Sequence, residues 1–233
     1  MDSQKHYAIA IDGPAASGKS TAAKGVARSL GFLYIDTGAM YRAFTLYMIE
    51  QEKDPKSEAD ALSLLPSCHI TEDRNGHVYL NGKDVTHRVR DMDVSAMVSY
   101  ACAYKAVREK LVALQQAMSL NDSVVMDGRD IGTVVLPKAD LKIYQVASVE
   151  ARARRRYLEN QEKGIPSTID AIAEDIRTRD HIDSTRKNSP LRKADDAILL
   201  DTSNLSIIEE MNKIISLFEE KVGKSWKDSV KSH

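Results

Sequence analysis

Residues 13–20 of this 233-residue chain read Gly13-Pro14-Ala15-Ala16-Ser17-Gly18-Lys19-Ser20: two glycines separated by four residues, then a lysine and a hydroxyl residue. That pattern is a phosphate-cradling loop when a strand leads into it and a helix follows. Both flanks comply. Tyr7-Ala8-Ile9-Ala10-Ile11 is a short apolar run of strand type, and Thr21 to Leu30 holds good helix formers with Gly31 placed as a stop. A strand entering such a turn aims a row of backbone N–H groups at one point, where the helix N-terminus adds partial positive charge. Residues Gly13 to Thr21 therefore read as the wall of a nucleoside triphosphate site. Lys19 would neutralise the β- and γ-phosphates, and the Ser20 hydroxyl would ligate Mg²⁺.

The length suits one α/β domain with insertions and a sizeable core. With 33 Lys+Arg against 34 Asp+Glu the net charge is −1, which argues against a general nucleic-acid binder. That balance hides a local asymmetry, because eight of the 15 arginines fall between Glu150 and Arg192. Cys68 and Cys102 sit in no CxxC or Cys/His cluster, so they read as free thiols in a reducing compartment and not as zinc ligands. No N-terminal apolar segment resembles a signal peptide, and no apolar run reaches membrane-spanning length. The expectation is a soluble, cytoplasmic monomer with no nucleic-acid or membrane partner.

A second strand, Phe32 to Ile35, closes on Asp36-Thr37-Gly38-Ala39-Met40-Tyr41-Arg42. Ligands of doubly wound folds collect at the carboxyl ends of strands. Thr37 can cap a helix running to about Glu52, and Arg42 in its first turns can fork onto a phosphate. A solvated arginine on a capped helix fits the local pattern equally well. After a linker and short helix between Asp54 and Leu65 the texture changes. Cys68 to Thr71, His77 to Leu80 and Lys83 to Thr86 are short alternating segments joined at Asn75-Gly76 and Asn81-Gly82, which are hairpin signals. This antiparallel patch, within residues 62–90, reads as an insertion. His69, His77 and His87 lie in or beside it at spacings that fit no metal motif, so they read as surface histidines.

Asp91 to Leu120 is mostly helical. Ser99 and Arg108 are nine residues apart, so on one straight helix they face nearly opposite sides. Either the helix breaks near Ala103–Lys105, or only one of the two faces a common pocket. Ser123 to Met126 is a buried strand ending in Asp127-Gly128-Arg129-Asp130-Ile131-Gly132-Thr133. An apolar strand ending in Asp supports Mg²⁺ through its carboxylate, directly or through water. Arg129 and Asp130 add a phosphate-type donor and an acceptor at the same strand end. Leu141 to Val146 and Ala197 to Asp201 are the fourth and fifth strands. Ile207 to Val222 is an amphipathic closing helix, followed by a polar tail expected to fray.

Between those last strands lies the arginine-rich part. Ala151 to Lys163 reads as a helix carrying Arg152, Arg154, Arg155 and Arg156, and Thr168 caps a second helix from Ile169 to about Ile182. Arg179, Asp183 and Arg186 are spaced four and three apart, so they share one face if the helix persists. A cationic cover of this kind would stabilise a transferring phosphoryl group and exclude water.

A P-loop core, an insertion after the second strand and an Arg-rich helical pair after the fourth are the anatomy of nucleoside monophosphate kinases. Over nearly its whole length the chain resembles the bacterial-type cytidylate kinases. The resemblance is carried by Ile11-Asp12-Gly13-Pro14, by Asp36 to Arg42, and by Asp127-Gly128-Arg129-Asp130-Ile131-Gly132-Thr133-Val134-Val135. Gly82 to Thr86 and Arg179…Asp183…Arg186 agree with it. The resemblance implies a single domain, 1–233, with a five-stranded parallel sheet, an NMP-binding insertion at 62–90 and a helical lid at 151–190. It implies Mg²⁺-dependent transfer of the ATP γ-phosphate to CMP and dCMP, in pyrimidine nucleotide metabolism. By the same resemblance Arg156 joins the P-loop on ATP. Thr37 (often Ser in the family) and Arg42 would contact the acceptor, Arg42 and Arg129 on its phosphate. Ser99, Arg108 and Asp130 would surround the cytosine, Arg179 and Asp183 would meet the ribose, and Arg186 the phosphates. Lys19, Arg129, Arg179 and Arg186 would be the catalytic cations. Both Ser99 and Arg108 reach one base only if their helix is interrupted. Many relatives carry a proline there, where this chain has Ala103-Tyr104-Lys105-Ala106.

Independently of the resemblance, the Asp130 carboxylate can accept from the cytosine amine, whereas uracil would oppose an acceptor to it. Sites built on such bonds reject the wrong partner by on the order of 10⁴-fold. A GTP-binding switch would need an Asn-Lys-x-Asp motif, which the chain lacks. A non-catalytic regulator would have little use for Lys19, Ser20 and Asp127 together. A sugar or shikimate kinase would have little use for the Arg129–Asp130 pair.

Overall fold

The computed structural model describes residues 5–223 and Trp226. In chain order, β1 (Ala8–Asp12) leads to α1 (Lys19–Leu30), β2 (Leu33–Asp36), α2 (Thr37–Glu50) and α3 (Glu58–Leu64). Three short strands follow, β3 (Ile70–Glu72), β4 (Val78–Leu80) and β5 (Lys83–Asp84), then α4 (Met92–Ala101) and α5 (Lys105–Met118). The remainder comprises β6 (Val124–Gly128), β7 (Leu141–Val146), α6 (Val149–Glu162), α7 (Ile169–Thr185), β8 (Ile198–Asp201) and α8 (Ile207–Val222). The tail expected to fray lies, apart from Gly223 and Trp226, outside the described residues.

Five strands form one parallel sheet in the order β2-β6-β1-β7-β8. The central strand β1 is covered on both faces, as its uninterrupted apolar run requires. Ile9 and Ile11 enter a core with α1 and α8, in which Phe32, Phe218 and Trp226 pack edge to face. Ala8 and Ala10 turn the other way, toward Met126, Ile131 and Val112 of α5. Two small residues on that face let the neighbouring segment after β6 come close. The sheet's order places the carboxyl ends of β2, β6 and β1 side by side. Asp36, Asp127 and Asp12 are therefore brought to one edge by register alone.

The helix limits follow from local chemistry. Ser206 and Glu209 close a reciprocal capping box on α8, and Thr168 accepts the Ala171 N–H to start α7. Gly31 takes a left-handed conformation (φ 72°) to end α1. The expectation that Thr37 caps α2 is corrected: Asp36 does so, its Oδ1 accepting the Ala39 N–H at 2.9 Å. A carboxylate is the stronger acceptor at that position, and Thr37 is already inside the helix.

The small antiparallel sheet β3-β4-β5 stands on α2 and α4, burying Ile70, Val78, Leu80 and Val85 with Phe44, Leu46 and Val98. Glu72 reaches from it to the main sheet: its Oε1 accepts the Asp36 N–H at 3.3 Å while Oε2 is buried without a hydrogen-bond partner among the described residues. Burial, then the nearby Asp36 carboxylate, push Glu72 up to about 8, so it carries a proton at neutral pH. A carboxyl group raised above its unfolded value binds a proton in the folded state that the unfolded chain has released. It therefore stabilises below about pH 4.5, and that contribution is lost as pH rises toward 8. Glu72→Gln should flatten the pH dependence of urea-unfolding free energy over that window and make the variant the more stable protein at pH 8.

Candidate active site

The loop between β1 and α1 is forced into its shape by close packing. A Cβ on Gly13 would lie 2.4 Å from the Gln145 carbonyl oxygen of β7, so only glycine lets the loop cross that strand. Ala16 (φ 57°) and Gly18 (φ 91°) both adopt left-handed backbone. The bend is pinned at Ser17, whose carbonyl accepts from Gln145 Nε2 at 2.7 Å and Arg155 Nη1 at 3.1 Å. Lys19 is buried and its Nζ donates to the Pro14 carbonyl at 3.0 Å. Burial, then the neighbouring Arg129 cation, depress Lys19 to about 7. An anion placed beside it would restore its charge.

Asp127, at the end of β6, is buried and hydrogen-bonded on both oxygens. Ser20 Oγ donates to Oδ2 at 2.7 Å, and the Tyr34 hydroxyl donates to Oδ1 at 2.8 Å. Burial and the adjacent Asp36 carboxylate raise its pKa. A hydroxyl and a carboxylate held this close, with a desolvated negative charge, are hard-oxygen donors suited to Mg²⁺. No group of three or more His, Cys, Asp or Glu capable of caging a metal exists among the described residues. That also suits Mg²⁺, which draws most of its ligands from phosphates and water. Thr37 is buried beside this carboxylate, its hydroxyl donating to the Asp127 carbonyl at 2.6 Å. It faces the site with that hydroxyl already committed.

Asp12, for which the sequence suggests no role, organises the next segment. Its carboxylate accepts the Ile131 and Gly132 N–H groups, each at 2.7 Å, at the start of a single π-helical turn, Ile131–Val135. That clamp fixes the direction in which Arg129 and Asp130 leave β6. Asp130 Oδ2 accepts Arg108 Nη2 at 2.5 Å in a fully buried ion pair. Arg108 also lies over the Tyr41 ring, 5.0 Å from its centroid, and donates to the Cys102 carbonyl at 3.1 Å.

Ser99 and Arg108 do face one space, because α4 ends at Ala101 and α5 starts at Lys105. The break between them needs no proline. Tyr104 is extended (φ −75°, ψ 132°) and its carbonyl accepts the Arg108 N–H, starting the new helix. The carbonyls left over at the end of α4 are satisfied from elsewhere: Cys102 by Arg108, and Ala103 by Asn188 Nδ2 at 3.0 Å.

The remaining cations come from α2, from the residue after β6, and from α7 and its C-cap. Arg42 donates to Ser95 Oγ at 2.7 Å, with burial and the Arg179 cation lowering its pKa. Arg129 Nε pairs with Asp183 at 2.8 Å, and Arg186 Nη1 lies 3.6 Å from the same carboxylate. Burial alone would raise Asp183, but Arg129 and Arg186 outweigh it and hold the group ionised. Arg186 spends its Nε and Nη2 on the Ser189 carbonyl. Arg179 is buried with an unpartnered Nε and its nearest carboxylate, Asp175, 3.9 Å away. Buried, under-neutralised guanidinium groups are the mark of a site awaiting an anion.

These groups converge on one cavity of about 460 Å³. Its lining takes in Ala16 to Thr21, Thr37, Arg42, Ser99, Arg108, Asp127, Arg129, Asp130, Arg156, Arg179, Asp183 and Arg186. Asp127 meets the loop directly, through Ser20. Gly13, Pro14 and Ala15 are the sequence-designated residues that do not line it. They stand behind the loop and shape it. Arg155 and Glu210 also line the cavity; Arg155 belongs to the arginine-rich helix, but its bond to the Thr202 carbonyl is a distant contact that no local pattern announces.

A cytidylate kinase family model matches residues 9–220. The chain belongs to the cytidylate kinase family. It is 49% identical over 216 residues to a cytidylate kinase of Oceanobacillus iheyensis, covering 91% of this chain and 94% of the relative. A cytidylate kinase of Streptococcus sanguinis is 49% identical over 224 residues, covering 94% and 98%. A solved structure of an uncharacterized Eubacterium ventriosum protein shares the fold at a TM-score of 0.50 and 11% identity, covering 93% of this chain and 99% of its own. This family member is a phosphotransferase of the nucleoside monophosphate kinase class.

Removing one partner of the Arg108–Asp130 pair leaves a bare buried charge, which typically costs about 3–5 kcal/mol. Arg108→Met should therefore lose stability on that scale in urea unfolding. Arg108→Met combined with Asp130→Leu should regain a large part of it. A double variant no more stable than the single one would show that the pair is not the source of the loss.

Proposed function

We propose that the cavity performs Mg²⁺-dependent transfer of the ATP γ-phosphate to CMP, and to dCMP, giving ADP and the nucleoside diphosphate. The observation that carries this reading is the shared cavity: the phosphate loop, a buried carboxylate–guanidinium pair and several arginines line one space. Phosphoryl transfer needs little covalent help, only two phosphates held in line with their charge neutralised.

In this reading the loop from Gly13 to Thr21, with Arg156, holds ATP. Lys19 has its charge restored by the β- and γ-phosphates. Ser20 and Asp127 hold Mg²⁺, Asp127 through water, and the bound ion supplies neutralisation of charge on the transferring phosphoryl group. Arg42 and Arg129 hold the CMP phosphate, their present partners Ser95 and Asp183 being exchangeable for it. Thr37 positions the strand end beneath the acceptor. Arg179, Arg186 and Asp183 on α7 meet the ribose and the phosphates, so residues 151–190 act as a lid over both nucleotides. The insertion within residues 62–90 supports the acceptor site through α2 and α4, with whose side chains its small sheet packs. Ser99, Arg108 and Asp130 surround the cytosine, Asp130 accepting from its amine. The protein is proposed to work as a cytoplasmic monomer on free nucleotides. No helix among the described residues is long and apolar enough to cross a membrane.

The test is an ADP-release assay with ATP and Mg²⁺ against CMP, dCMP, UMP, AMP and no acceptor, with Asp130→Asn alongside. CMP and dCMP should be turned over well, UMP and AMP poorly, and chelation of Mg²⁺ should abolish turnover. Asn can turn either an oxygen or an amine to the base, so the CMP-to-UMP ratio of kcat/KM should fall about 10-fold or more in the variant. Efficient turnover of AMP or of a non-nucleotide acceptor would overturn the cytosine assignment while leaving the kinase core in place.

A further inference from the structure

The phosphate loop is held to the helical pair by a contact that none of the roles above employs. Ala15 is bracketed on both sides of its backbone. Its N–H donates to Asp180 Oδ1 of α7 at 3.0 Å, and its carbonyl accepts Arg152 Nη1 of α6 at 2.9 Å. The same Arg152 Nη1 donates to Asp180 Oδ2 at 2.5 Å, and Arg152 Nε is anchored on the Ala147 carbonyl at 2.9 Å, where β7 has just ended. Arg152 is buried. Next along the loop, Ala16 packs on the cluster Ala153, Ile172, Ala173 and Ile176 that joins α6 to α7. One carboxylate thus ties a rigid 17-residue helix to the loop that carries the donor phosphates.

The consequence lies in what else α7 carries. Arg179 precedes Asp180 in the helix, and Asp183 follows it within one turn, about 4.5 Å further along the axis. Fixing Asp180 on Ala15 therefore fixes how far Arg179 and Asp183 stand from the phosphate cradle. We propose that Asp180 is a positioning residue for phosphoryl transfer, a latch that registers α7 on the phosphate loop and so aims Arg179 and Asp183 at the acceptor. This rests on the kinase reading above. In-line transfer is sensitive to such register, since a misplacement of about 1 Å can cost on the order of 100-fold in rate. Asp180 itself is not among the residues that line the cavity. Its effect belongs in kcat and in the coupling of ATP use to acceptor, and not in the affinity of the loop for ATP.

The experiment compares wild type, Asp180→Asn and Asp180→Ala by four readouts. These are kcat and KM for CMP at saturating ATP, Kd for a fluorescent ATP analogue, ADP released per CDP formed, and Tm. Asp180→Ala should lower kcat about 10- to 100-fold. Its ATP-analogue Kd should stay within about threefold and more ADP should be released per CDP, while Tm should fall because the buried Arg152 loses its carboxylate. Asp180→Asn keeps an oxygen for the Ala15 N–H and should recover part of kcat. Asp180→Ala combined with Arg152→Ala should cost less than the product of the two single losses, as members of one unit do. Wild-type kcat and coupling in Asp180→Ala would overturn the latch. So would a kcat loss accompanied by an equal loss of ATP affinity and unrelieved by Asn, which would make Asp180 mere support for the loop. A wild-type chain that phosphorylates no CMP would instead overturn the kinase reading itself.

Discussion

The constraint on which this structure depends is the neutralisation of buried charge. An isolated ion taken out of water costs far more than the whole stability of a domain, so it must be paired or change its protonation. The site holds Lys19, Arg108 and Arg179 against Asp12, Asp127, Asp130 and Asp183, all buried. Two solutions coexist. Arg108–Asp130 and Arg129–Asp183 are close pairs. Lys19, Arg179 and Asp12 are only partly compensated, and burial moves each toward its neutral form. In the proposed reading, nucleotide phosphates complete this arrangement, and binding is an exchange of partners around cations that are already placed.

Backbone geometry sets where those charges stand. Parallel pairing brings Asp12, Asp36 and Asp127 to neighbouring strand ends, and each does a different task there. Asp36 caps α2 and also accepts Arg90 Nη2 at 2.6 Å, Asp127 meets Ser20, and Asp12 clamps the turn after β6. The difference comes from which unsatisfied N–H or hydroxyl each carboxylate meets first. A two-residue shift of β6 against β1 would keep the same faces buried and lose all three arrangements, so the register is specified by polar contacts as much as by the core.

What could be read in the chain follows the range of the interaction. The phosphate loop was legible because Gly13, Gly18, Lys19 and Ser20 act within one turn and its flanks. β6, Val124–Gly128, is legible because Val124, Val125 and Met126 form a buried apolar run ahead of Asp127. Asp12 falls within a motif, but its task is not local, since its partners lie 119 and 120 residues away. No local breaker enforces the break after Ala101. The donors that satisfy it are Arg108, which is itself on the following helix, and Asn188, 85 residues on. Thr37 is a good cap by type, so propensity alone places the cap on α2 one residue late. Its hydroxyl is instead taken by the Asp127 carbonyl, a tertiary contact that propensity cannot contain.

The same reasoning bears on how a base would be read at the acceptor end. A hydroxyl or an unpaired amide can rotate to suit either a donor or an acceptor, and so discriminates weakly between cytosine and uracil. Asp130 has no such freedom. One oxygen is held by Arg108, which is in turn fixed by the Cys102 carbonyl and the Tyr41 ring. A carboxylate immobilised in this way presents its second oxygen as an acceptor and nothing else. In the proposed reading, discrimination comes from that immobility: an opposing uracil oxygen can neither turn the group nor find water to screen it in a buried site. The interruption between α4 and α5 is thus part of specificity, since it lets Arg108 fold back over the end of α4 and hold the carboxylate still.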